Sequence, residues 1–221
     1  MWQLKNIHLA IDDRPILKGI DAQIHPGDFI ALKGANGAGK STLFHALSGS
    51  LMPCEGQILY QGNDITTLDE SQRTVWIGKL CQDPKQTCAC EMSVEENITI
   101  AKMKKRRALL RQASYEFDEK TLSIAQEIGF DLKTLRKNKV ASLSGGQRQT
   151  LALIMVLLSE PQLLLLDEPC AALDEETSSK LLSFIQAWVK KHNVASIMIT
   201  HQLNEIERVC NRQWTLKAGR L

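Results

Sequence analysis

The 221-residue chain has no long apolar run. The longest, Leu151–Leu158, falls far short of the roughly 20 residues that cross a bilayer. Any membrane role therefore requires a partner chain. A charge of one sign is missing too. The 27 basic residues nearly cancel the 25 acidic ones, so the strong basic field of a nucleic-acid binder is excluded. The opening residues, Met1-Trp2-Gln3-Leu4-Lys5, lack the apolar stretch of a secretion signal, and a cytoplasmic location is expected. The six cysteines (Cys54, Cys81, Cys88, Cys90, Cys170 and Cys210) match no zinc spacing, and Cys88-Ala89-Cys90 lacks a second pair. In a reducing cytosol they are expected to be free thiols. Asn97-Ile98-Thr99 fits a glycosylation acceptor, a match that a cytosolic chain makes accidental. No internal repeat or low-complexity tract is visible.

What remains is the pattern of one globular unit. Phe29–Leu32, Leu163–Leu166 and Ala195–Thr200 are short continuous apolar runs. Such runs suit strands buried on both faces of a parallel sheet. Each ends in a glycine-rich or polar group, as expected where ligands bind at the carboxyl ends of strands. Met1–Ile24 alternates and contains Asp12-Asp13-Arg14-Pro15, which predicts an antiparallel hairpin flanking the core. From about Val94 to Glu160 the pattern is mostly helical, with apolar residues at Leu122, Ile124, Ala125 and Ile128, and with basic residues dense over 102–111. The expected fold class is α/β. It has a P-loop NTPase core with a mostly parallel sheet, an antiparallel β subdomain, and a helical lobe inserted over residues 83–160 between core segments 1–82 and 161–221.

Three segments carry chemistry. Gly34-Ala35-Asn36-Gly37-Ala38-Gly39-Lys40-Ser41-Thr42 follows an apolar run and precedes a helical pattern, the context a phosphate-binding loop requires. Its glycines admit backbone N–H groups to phosphates, and the helix start adds positive potential. Lys40 is expected to pair with the β- and γ-phosphates and Ser41 to coordinate Mg²⁺. Leu163–Leu166 delivers Asp167 toward that metal and Glu168 toward an attacking water as general base. Ser144-Gly145-Gly146-Gln147 opens a second apolar helix. Serine is a good N-cap, but two glycines where helix propensity disfavours them suit exposed N–H groups facing an anion.

Together these segments make the chain resemble the ATP-binding subunit of ABC transporters over nearly its whole length. The resemblance rests on Gly34–Ser41, Gln82, Leu143–Gln147, Leu163–Glu168, Leu173-Asp174 and His201, in the family's order. It implies ATP and Mg²⁺ as ligands. It also implies a head-to-tail dimer with two ATP molecules between subunits, each held by Lys40 and Ser41 of one copy and Ser144 and Gly146 of the other. Gln82 would touch metal and water and report to a membrane partner. His201 would meet the γ-phosphate and orient Glu168, and Asp174 would cross the dimer interface. Two positions depart from the family. Ile11 stands where an aromatic residue usually stacks on adenine, leaving apolar contact, with Trp2 as a candidate substitute for the stacking ring. Ala171 replaces a usual serine before Asp174.

Cys81-Gln82-Asp83-Pro84, Met92–Asn97 and the basic stretch 102–111 are similar to a bacterial group associated with tryptophan or tyrosine uptake. The resemblance implies an importer ATPase of a small solute such as an amino acid. Its partners would be integral-membrane permease subunits and a periplasmic or lipid-anchored substrate-binding protein, with the chain held on the inner face of the membrane. The alternative is a soluble ATPase of the same type serving another assembly, such as iron–sulfur cluster assembly. DNA-repair members carry long coiled coils and translation-factor members two ATPase units, and neither feature is present.

Overall fold

The computed structural model describes residues 1–103, 116–171, 173–201 and 208–221. Residues 104–111 of the basic stretch lie outside the described residues. The strands are β1 (Trp2–Ile11), β2 (Arg14–Ile24), β3 (Phe29–Lys33), β4 (Glu55–Tyr60), β5 (Asn63–Asp64), β6 (Ile77–Leu80), β7 (Leu163–Asp167), β8 (Ala195–Ile199) and β9 (Arg212–Thr215). The helices are α1 (Lys40–Ser48), α2 (Glu70–Arg73), α3 (Val94–Met103), α4 (Glu119–Ile128), α5 (Leu132–Leu135), α6 (Gly145–Leu158) and α7 (Glu175–His192).

The opening hairpin forms as expected. β1 and β2 pair antiparallel from Trp2↔Ile24 to Ile11↔Arg14. The turn is made by Asp12 and Asp13, both with left-handed φ (48° and 61°), a conformation aspartate adopts more readily than most residues. β4 and β5 complete this sheet in the order β2-β1-β4-β5. The second sheet has the order β6-β7-β8-β3-β9, and all its neighbouring pairs are parallel. Four of the five residues of β3 and of β7, and all five of β8, are buried. This explains why they read as unbroken apolar runs.

The two faces of the parallel sheet feed different cores. Ile77, Leu163, Leu165 and Ile197 join the residues of α1 and of the antiparallel sheet. Leu80, Leu164, Leu166 and Met198 join α3, α4, α6 and α7. Gly78 is what lets α6 close on the sheet: a Cβ there would stand 2.7 Å from Val156 Cγ1 and 3.0 Å from Pro161 Cγ. Helices from the 83–160 segment and one sheet face therefore share a single hydrophobic cluster.

Buried polar groups fix the parts that flank the site. Arg73 is fully buried, and its guanidinium donates to the carbonyls of Ala46 (2.6 Å), Leu47 (2.8 Å) and Thr66 (2.7 Å). The first two are among the last carbonyls of α1, which have no partner within the helix, and a cation also suits that end of its dipole. Asn97 is equally buried. Its amide donates to the carbonyls of Ala89 (3.0 Å) and Ser93 (2.9 Å), and its oxygen accepts from the Ala89 N–H (2.8 Å). It is a strut between α3 and the preceding loop, with no side chain free to carry a glycan.

Asp118 caps α4 through the Thr121 N–H (2.9 Å) and pairs with Lys102 at 2.8 Å, joining the end of α3 to the start of α4. Burial pushes its carboxyl up, but hydrogen bonds from Lys102 and Thr121 and the Lys102 charge outweigh that and hold it at about 2. A depressed carboxylate stabilises the fold above its unfolded value near 4 and stops doing so as pH falls toward 2. Asp118→Ala is expected to lower the melting temperature by about 2–4 °C at pH 7, mainly through the lost cap. The gap from wild type should narrow between pH 4 and pH 2. Calorimetric melts across that range check this, and a gap independent of pH would remove the ionised carboxylate from the account.

Candidate active site

β3 leads straight into the glycine loop. At Gly34 the backbone passes so close to β9's continuation that a Cβ would lie 2.5 Å from the Leu216 carbonyl oxygen. Gly39 is the N-cap of α1, with φ 104° and no side-chain cap. The first N–H groups of α1 are thus left to an anion. Lys40 folds over its own loop, Nζ donating to the carbonyls of Gly34 (2.7 Å) and Ala35 (3.1 Å). Two strands away, β7 ends at Asp167. Glu168 follows in a left-handed conformation (φ 48°), uncommon for a glutamate, and its N–H donates to Ile199 O at 2.9 Å. That bond ties the ends of β7 and β8 together and brings His201 Nε2 to 3.3 Å from Glu168 Oε1.

These elements surround a cavity of about 380 Å³. Asn36, Gly37, Gly39, Lys40, Ser41 and Thr42 line one side, and Gln82, Asp167, Glu168 and His201 the other. Ser41 and Asp167, 126 positions apart (167 − 41), meet because β3 and β7 flank β8 in one sheet. Burial, and then the neighbouring Glu168 charge, push the Asp167 carboxyl above its ordinary range, with Lys79 and Lys40 opposing. A cation at Asp167 would reverse that push.

The donor set suits Mg²⁺. Ser41, Gln82 and Asp167 offer a hydroxyl, an amide and a carboxylate on the same cavity. Mg²⁺ takes oxygen ligands and usually one or two carboxylates, with phosphates and waters completing its shell. Among the described residues no cluster of three His, Cys, Asp or Glu side chains forms a metal site of its own.

The second glycine-rich segment stands apart from this cavity. Ser144 is the N-cap of α6 in a reciprocal capping box: its Oγ accepts from Gln147 N (3.2 Å), and Gln147 Oε1 accepts from Ser144 N (2.9 Å). A Cβ on Gly146 would fall 2.9 Å from Leu173 Cδ2, so the start of α6 packs on the turn before Asp174. Asp174 in turn caps α7 through the Thr177 N–H (2.9 Å). Ser144, Gly145, Gly146, Gln147 and Asp174 are thus grouped by the structure, but not with the phosphate loop of their own chain.

The sequence profile of the family described as "ABC transporter" matches residues 17–171. The chain belongs to the ABC transporter family. It is similar to a tyrosine transport ATP-binding protein of Clostridioides difficile, with 34% identity over 99% of this chain and 89% of the relative. It is also similar to the lipoprotein-releasing system ATP-binding protein LolD of Legionella pneumophila, at 33% identity over 98% and 93%. Among solved structures, a dimeric ATP-binding cassette in a post-hydrolysis state with ADP and phosphate superposes with a TM-score of 0.86. The identity is 24%, over 100% of this chain and 96% of that one; the fold is that of such cassettes.

Seen as an ABC ATPase, the chain has site features that sequence reasoning missed. Ile16 and Ile199 line the cavity beside the phosphate loop. Ile16 is the first apolar residue after the hairpin turn, and only its place beside Gly39 (3.3 Å from a Cβ there) reveals it. Ile11 instead ends β1 with 40% exposure, outside the cavity lining. Trp2 cannot serve as the stacking ring: it is 2% exposed and stacked on Tyr60 with centroids 4.1 Å apart. Cys54, Cys81, Cys88 and Cys90 are in no disulfide, and burial pushes Cys88 up to about 12, which leaves it unreactive.

Proposed function

We propose that this ABC transporter subunit hydrolyses ATP to power an uptake system for a small solute such as an amino acid. One observation carries the reading. Lys40, Ser41, Gln82, Asp167, Glu168 and His201 converge on one open cavity, while Ser144, Gly145 and Gly146 open α6 on a different surface, where the capping box takes up the N–H groups of Ser144 and Gln147 and leaves out those of Gly145 and Gly146. A second copy, turned head to tail, supplies to each cavity what its own chain keeps elsewhere.

Lys40 and the N–H groups of residues 36–42 hold the β- and γ-phosphates. Ser41, Gln82 and Asp167 are the residues that would hold Mg²⁺, which when bound neutralises charge developing on the phosphates. Glu168 takes the proton of the attacking water, and His201, already 3.3 Å away, fixes its orientation. Ile16, which lines the cavity beside Gly39, gives the base apolar contact in place of Ile11. Asp174, which follows the Leu173 turn packed on Gly146, meets the other copy. Among the described residues no helix is long and apolar enough to cross a membrane. Coupling therefore runs to separate permease subunits on the cytoplasmic face of the membrane, through Gln82 and the loop after it. The name of the tyrosine-transport relative supports an amino-acid cargo; a substrate-binding protein is the further partner such an uptake system would use.

Co-purification from the native membrane, followed by ATPase assay of the purified material, tests this. An integral-membrane partner that stimulates ATP turnover is the expected result. A soluble scaffold in its place favours the assembly ATPase, and failure to bind ATP in any form removes both.

A further inference from the structure

Lys79 is an enclosed charge that the reading above does not use. It lies on β6 in register with Leu165 of β7. By the two-residue alternation of strands, its side chain shares the sheet face of Asp167, two residues further along β7. Only 17% of the side chain is exposed. Nζ stands 3.8 Å from Glu70 Oε1 and 3.5 Å from His45 Nδ1. Burial, then the Lys79 charge, hold the His45 ring below its ordinary range, so it meets the ammonium as a neutral acceptor.

Two cavities meet at Lys79. One, of about 320 Å³, counts Ser41, Gln82 and Asp167 in its wall and so backs onto the nucleotide cavity. The other, of about 190 Å³, opens beside Glu70 and Cys81. We propose that Lys79 is a positioning residue for the nucleotide–metal pair. It is a fixed positive charge behind Asp167 that favours the metal-free polyphosphate and tempers the grip on Mg²⁺, and Glu70 attenuates that charge. The proposal rests on reading the main cavity as the ATP site.

The sign of the effect separates charge from packing. A cation behind Asp167 attracts a polyanion and repels a divalent cation, so its removal must move the two affinities in opposite directions. A residue that merely fills space moves both the same way. Burial protects the charge from the salt screening that erases surface pairs.

The test uses the full chain and a fluorescent ATP analogue, titrated in EDTA and then with MgCl₂ at fixed nucleotide. Lys79→Met is expected to weaken metal-free binding about 3- to 10-fold and to lower the half-saturating Mg²⁺ concentration by a similar factor. Lys79→Arg should keep both wild-type values. Glu70→Gln should shift both readouts the other way, and it decides the matter if Lys79→Met does not fold. Wild-type binding with both affinities of the variants unmoved, or moved in the same direction, overturns the role of Lys79 alone. A wild-type chain that binds no nucleotide in either condition overturns the ATP-site reading as well.

Discussion

Glu168→Gln is expected to bind ATP as the wild type does and to turn it over about 10²–10⁴-fold more slowly, the span typical of losing a general base. The geometry behind this is specific. Glu168 takes up a left-handed backbone with its N–H anchored on Ile199 O at 2.9 Å. Its carboxylate is therefore aimed by the sheet rather than by its own rotamer alone. Glutamine keeps the shape and the anchor but cannot accept the proton of an attacking water. With hydrolysis blocked, ATP-bound copies should accumulate as a closed dimer, visible by size-exclusion chromatography as a doubled mass that ADP does not produce. Steady-state phosphate release at the wild-type rate would falsify the assignment.

Lys40→Met is expected to act earlier, on binding itself. In the free chain Nζ spends its hydrogen bonds on Gly34 O (2.7 Å) and Ala35 O (3.1 Å), both in the loop that phosphates approach. Nucleotide binding exchanges these neutral acceptors for charged phosphate oxygens. Such charge-assisted bonds contribute about 1.5–3 kcal/mol each, so affinity for ATP should fall roughly 10- to 150-fold. Isothermal titration of ATP into both proteins measures it. Equal affinities would put the triphosphate somewhere other than over this loop. The thermal melt should barely move, because the two bonds lost are at the surface of the loop and the N-terminus of α1 keeps its other contacts.

The parts of the fold written in local pattern were legible in the sequence. β3, β7 and β8 are buried on both faces and so appear as unbroken apolar runs. The hairpin is marked by Asp12 and Asp13, and the start of α6 by Ser144, whereas the capping of α7 by Asp174 emerged only from the structure. The phosphate loop is legible because backbone access to an anion demands glycine at fixed offsets. What was not legible depends on distant contact. β9 has only four residues of mixed exposure, and nothing local announces that Leu216 will brace Gly34. Ile16 looks like any strand residue until the hairpin lays it beside Gly39. Lys79 breaks an apolar strand and reads as a surface residue, but the neighbours that enclose it, His45 and Glu70, come from separate helices. The separation of Ser144–Gln147 from the phosphate loop of its own chain is a different case: no property of one chain states which copy it serves.

The contact of Gly34 with Leu216 has a bearing on biogenesis. The nucleotide loop is translated early, yet its outer support and the edge strand that flanks β3 come from residues 212–216. Domains emerge from the ribosome amino end first, so a nascent chain halted before that point has made its ATP motif without the wall it leans on. Binding competence should appear only once residues 212–216 have left the exit tunnel and can pair with β3.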